Sequence, residues 1–138
     1  MEPEVKTEEK QEEKKEPSLA DKLRSLLAEF DNAPSAADIE ALKAKHGDVF
    51  LSALNDDEVF LFRALTRKEH RATNAAAAEG KIQGEAFEEE IVKTCLLWKS
   101  SPESLENKAG TIPSLFEQIM QNSNFLAPQL LSNLVTKL

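Results

Sequence analysis

Hydrophobic positions recur at helical spacing along most of the chain and break from it in one place, residues 48–71 (DVFLSALNDDEVFLFRALTRKEHR). There Val49, Phe50, Leu51 and Leu54 precede the polar group Asn55, Asp56 and Asp57, and Val59, Phe60, Leu61, Phe62 and Leu65 follow it. Two short runs rich in aromatic and branched side chains around a turn predict a β-hairpin. In its second strand Phe60 and Phe62 share one face, turned toward the helices, and Val59, Leu61 and Arg63 the other, because successive side chains alternate. Both faces are apolar, and an isolated hairpin is marginal in water. Helices or a partner's strand must cover it, which makes the hairpin a candidate edge for β-augmentation. Beyond it, Thr66 and Glu69 have the spacing of a capping box, in which each side chain accepts from the other's amide. A helix is predicted from there through the alanines at 75–78 to about Glu79, ahead of Gly80.

Upstream, Leu19, Leu23, Leu26, Leu27 and Phe30 follow Ser18 and Asp21, a short-acid capping pattern, and predict an amphipathic helix ending near Asp31. Pro34 disfavours helical geometry in the residue before it. Ser35 and Asp38 then open a second helix carrying Ile39 and Leu42 that stops at Gly47. Residues 18–46 read as a helical hairpin, and 47–138 as the β-hairpin with further helices, the two together forming one compact domain. Downstream, a helix from Glu85 places Phe87, Ile91, Thr94, Cys95 and Trp98 on one face, with acids near its N-terminus that suit the helix dipole, and Ser100, Ser101 and Pro102 end it. Thr111 is the expected N-cap of the next helix, because Pro113 is tolerated only in a first turn. Leu115, Phe116, Ile119 and Met120 form its apolar face. Residues 122–124 break the pattern, Phe125 anchors the turn, and Pro128 opens a last helix with Leu130, Leu131, Leu134, Val135 and Leu138. Those leucines need cover, from the N-terminal hairpin or from another protein. Residues 1–17 are nearly all Glu, Lys, Gln and Pro, cannot offset the entropy of ordering, and predict a disordered tail. The fold class is therefore mainly α (α+β), a helical bundle-like domain with one small β-hairpin.

Composition narrows the partners. The net charge is -8, with cations scattered among more numerous carboxylates, which argues against neutralising nucleic-acid phosphates or docking on an anionic membrane. One cysteine, Cys95, leaves no internal disulfide framework and fits a reducing compartment. No apolar run approaches the roughly 20 residues of a bilayer span, and the N-terminal stretch is charged where a signal peptide is apolar. A product that stays in the cytoplasm is expected.

The pattern offers no catalytic, cofactor or metal site. His46 and His70 are far apart and lack neighbours at zinc-ligand spacing. Cys95, on an apolar helix face, reads as a small hydrophobe. Glu88, Glu89 and Glu90 point in different directions on a helix, and Gly80 and Gly84 lack the continuation of a phosphate loop. Arg63, Arg67, Lys68, His70 and Arg71 form the one basic concentration; they solvate a helix, or receive an acidic segment of a partner or of the chain's own tail. Phe60, Phe62, Arg63, Arg67, Arg71, Leu130, Leu134 and Leu138 are thus the candidate partner-binding residues.

Several short motifs occur in a fixed order. Arg63, Leu65, Arg67 and Glu69 make R-x-L-x-R-x-E; Cys95 and Trp98 follow on a helix; Ala109, Gly110 and Pro113 lead to Leu115, Glu117 and Ile119 (L-x-E-x-I) and to Ser123 and Phe125 (S-x-F). This order, over residues 48–125, resembles small bacteriophage proteins encoded near the tail genes, the tail assembly chaperones and small virion structural proteins. Ile112 departs from that pattern by adding a residue between Gly110 and Pro113, and Lys99 and Ser100 stand where a proline commonly follows the aromatic. The resemblance implies a non-enzymatic viral protein of the bacterial host cytoplasm. Such a protein binds a longer tail protein such as the tape measure, or a tube or baseplate component, or is retained in the virion, and a homo-oligomer is compatible with it. A reading of another class is an acidic module that occupies a basic partner's site by charge mimicry.

Overall fold

A computed structural model describes residues 17–126, 131 and 133–138. The expected disordered tail, apart from Pro17, lies outside the described residues, as do Pro128 and Leu130 of the expected last helix. The described elements are α1 (Leu19–Ala28), α2 (Ala36–His46), β1 (Val49–Ala53), β2 (Val59–Arg63), α3 (Arg67–Ala78), α4 (Glu85–Cys95), β3 (Leu96–Lys99) and α5 (Thr111–Asn122). The fold is mixed α and β and mainly helical.

The chain divides into two units, residues 1–33 and 34–138. In the first, the Ser18 hydroxyl accepts from the Asp21 amide at 3.1 Å and starts α1. The helix ends three residues short of Asp31, where the Glu29 amide turns back to the Leu26 carbonyl and the Phe30 amide to the Leu27 carbonyl.

In the second unit α2 starts from a complete capping box between Ser35 and Asp38 and stops at Gly47, whose φ of +86° is left-handed. The chain enters β1 two residues later. β1 and β2 pair antiparallel with Phe50 opposite Phe62, and those rings stack at 5.4 Å, the kind of cross-strand aromatic pair that stabilises a sheet. In the connecting loop Asn55 closes an Asx turn, its Oδ1 accepting from the Asp57 amide at 2.8 Å.

The hairpin expected from the sequence is present, and the structure adds a strand to it. Helix α4 ends at Cys95, and Leu96 passes directly into β3, which pairs antiparallel with β2 in the order β1-β2-β3. Trp98 therefore lies on a strand opposite Leu61, not on the face of α4. β2, flanked on both sides, is the central strand. Phe60 and Phe62 on one of its faces meet Leu65, Ile91, Val92, Cys95, Leu105, Leu115 and Ile119 in the core. Phe87 and Phe116 bridge α4 and α5 edge to face at 6.3 Å. The segment at 103–108 sends Leu105 into this core and buries Ser104.

Thr111 is the first residue of α5, not its N-cap; Gly110 occupies that position. The Thr111 hydroxyl is engaged elsewhere, donating to Glu58 Oε2 at 3.3 Å. Pro113 falls in the first turn, as its missing amide requires. Residues 133–138 are not helical, which corrects the expected last helix over Leu134, Val135 and Leu138.

Candidate functional site

The expected binding edge is not a surface. Phe60 and Phe62 are 0% and 2% exposed on the central strand, so neither reaches a partner while the domain is folded. What the sequence missed is β3, which pairs with the side of β2 that otherwise ends the sheet.

Arg63 leaves the end of β2 and is committed internally. Its guanidinium grips Glu69 through two parallel contacts, 2.8 Å to Oε1 and 2.6 Å to Oε2, and also donates to the Thr94 carbonyl at 3.0 Å. Such bidentate, charge-assisted pairs are the stronger kind. Glu69 Oε1 also accepts the Thr66 amide at 3.1 Å, while Thr66 Oγ1 accepts the Glu69 amide at 3.2 Å. One carboxylate thus joins β2, α3 and, through Arg63, the end of α4. The Arg63 hydrogen bond, against the opposing effect of burial and with help from the Thr66 cap, holds Glu69 well below the usual carboxylate range, at about 2. Arg67 and Arg71 lie exposed on α3 with no ion-pair partner among the described residues. The basic concentration therefore splits into one half-buried structural arginine and an exposed face of Arg67, Lys68 and Arg71.

A second carboxylate, which the sequence did not single out, is more deeply buried. Glu58 is 5% exposed and accepts from Asn55 Nδ2 at 2.7 Å, Lys108 Nζ at 3.2 Å and Thr111 Oγ1 at 3.3 Å. The Asn55 hydrogen bond, opposed by burial and aided by Lys108, lowers its pKa. It ties the hairpin loop to the start of α5. Its partners lie 3, 50 and 53 residues away in sequence, so only the nearest leaves a local signal. Cys95 is buried, and burial pushes its thiol up to about 11, the opposite of an activated nucleophile. Among the described residues every buried side-chain polar atom has a hydrogen-bond partner. No group of three or more His, Cys, Asp or Glu among them is placed to hold a metal ion, and none of their helices is long and apolar enough to cross a membrane.

The apolar surface lies after α5. Ser123 fastens that helix end, its hydroxyl donating to the Ile119 carbonyl at 2.6 Å and accepting the Leu65 amide at 2.8 Å. Asn124 then takes φ +72°, and the Phe125 amide returns to the Met120 carbonyl at 3.0 Å. This is a Schellman closure, with Asn in the left-handed position that most side chains avoid. It sets Phe125 against His70, with ring centroids 4.9 Å apart. A groove of about 490 Å³ results, with Phe116 and Met120 of α5 on one wall and Phe125, Leu126 and Leu131 on the other. Beyond it Leu134 and Val135 are 67% and 81% exposed and Leu138 fully so. Outside α1, the large exposed hydrophobics of the described residues all fall between Phe125 and Leu138. Of the candidate partner residues, Leu134 and Leu138 stand on this surface, Arg67 and Arg71 on the exposed face of α3, and Phe60, Phe62 and Arg63 inside the fold. Comparison of the chain with protein-family models, with curated proteins and with solved structures finds no match.

Proposed function

We propose that the chain is a non-enzymatic bacteriophage protein of tail assembly, which covers an apolar helical segment of a longer tail protein, such as the tape measure, until that protein polymerises. The observation that carries the reading is the concentration of exposed apolar side chains among the described residues of 125–138. Isolated exposed hydrophobics need no explanation, but a contiguous run of them marks an interaction surface. Full burial of a leucine or valine contributes about 1.5–3 kcal/mol, so Leu134, Val135 and Leu138 together supply a useful contact after ordering costs are met. The order of motifs through residues 63–125 adds the tail-assembly context by resemblance. The host cytoplasm is then the place of action.

Co-expression with a long helical tail protein of the tape-measure kind tests this. The expected result is a stable complex and a gain in the partner's solubility. Absence of both sinks the reading. Retention in the particle is the second outcome that the resemblance implies, and mass spectrometry of purified virions separates a departing chaperone from a virion component.

A further inference from the structure

Both the groove and the uncovered segment belong to one patch. The groove is preformed, because the Schellman closure at Asn124, the Ser123 hydroxyl and the edge of His70 hold its outer wall in place. Leu131 lines the groove, and residues 133–138 carry Leu134, Val135 and Leu138 into solvent. At about 3.3 Å per residue that stretch reaches roughly 20 Å from the groove. The charges also match. Glu117 is the one ionised side chain among the residues lining the groove, and Lys137 is the one cation of the segment. Neither has an ion-pair partner among the described residues.

We propose that the patch is covered by a second copy of the chain, residues 134–138 of each copy seating in the Phe116–Met120–Phe125 groove of the other, with Lys137 of one against Glu117 of the other. A surface that contains both donor and acceptor is self-complementary, which is the condition for a closed two-fold pair. This rests on the reading of residues 125–138 as the binding surface: the pair is the stored form, and a tail-protein helix takes the place of the second copy.

Sedimentation equilibrium of the full chain, with single and mixed charge reversals, tests the pairing. The wild type sediments as a concentration-dependent dimer. Glu117→Lys and Lys137→Glu, both at exposed positions, each raise the dissociation constant about three- to tenfold. An equimolar mixture of the two recovers wild-type association, since each mixed pair restores two opposite-charge contacts. Leu134→Asp with Leu138→Asp abolishes it. A monomer at every concentration, single reversals that associate like the wild type, or a mixture no tighter than its components overturns the proposal. A dimer that ignores the tail protein sinks the proposed function and leaves the pairing standing, whereas a strict monomer that binds the tail protein does the reverse.

Discussion

Glu69→Gln removes the charge that Arg63 grips while keeping the side chain's shape and its capacity to close the Thr66 cap. In the folded protein the Glu69 carboxyl lies at about 2, against 4.5 for the free group. At 1.36 kcal/mol per pK unit that difference corresponds to about 3 kcal/mol. Glu69 is partly exposed, its side chain at 28% beside 14% for Arg63, so solvent screening reduces the expectation to about 1–2 kcal/mol. The sign follows from linkage: a carboxyl depressed by folding stabilises fully above 4.5, and the contribution is lost as pH falls through 4.5 toward 2. Urea unfolding of wild type and variant, followed by Trp98 fluorescence at a series of pH values from 7 downward, reads the difference. The variant is less stable by about 1–2 kcal/mol at neutral pH with an unchanged m-value, and the two curves converge in acid. A gap that persists unchanged in acid, or none at neutral pH, refutes the assignment of stability to this ion pair.

Phe60→Ala and Phe62→Ala, which truncate buried rings of the central strand, each cost about 3–5 kcal/mol in chemical denaturation, while Leu138→Asp, compared with the wild type at concentrations where both are monomers, leaves stability within about 0.5 kcal/mol because its side chain is fully exposed. Asn124→Val, which forces a β-branched residue to φ +72°, costs about 1–2 kcal/mol, and Asn124→Gly is close to neutral by the same measurement. Cys95 resists alkylation at neutral pH in the native protein and reacts at the rate of a free thiol in denaturant, since burial both shields it and holds its thiol at about 11.

What the sequence conveyed was chiefly local. Ser35 with Asp38, Thr66 with Glu69, and Gly47 place helix ends because capping chemistry acts over three or four residues. The hairpin was legible from its turn residues and its branched and aromatic strands. β3 was not, since Ile91, Cys95 and Trp98 continue a helical period without a Gly, Pro or Asn to mark the change. The pairing of Leu96 and Trp98 with β2, a tertiary contact, overrides that local pattern. Mistaking β3 for helix left β2 looking like an edge, and so left open whether Phe60 and Phe62 were core or interface. Arg63 was placed in an exposed basic face for a related reason: its contact at the Thr94 carbonyl lies 31 residues away. Leucine spacing at 130–138 suggested a helix, but residues 133–138 lack one, so that period alone did not carry the segment. The exposed apolar surface was therefore legible in Leu134 and Leu138 and illegible in the groove, whose walls meet through the turn at Asn124.

The claim that core and interaction surface are separate is tested most directly by co-expressing the Leu134→Asp, Leu138→Asp double variant with the proposed tail-protein partner and comparing complex yield and unfolding midpoint with the wild type. An unchanged midpoint, read at concentrations where both proteins are monomers, and loss of the complex are expected. Full retention of the complex by the folded variant, or its loss only in step with unfolding, would contradict it.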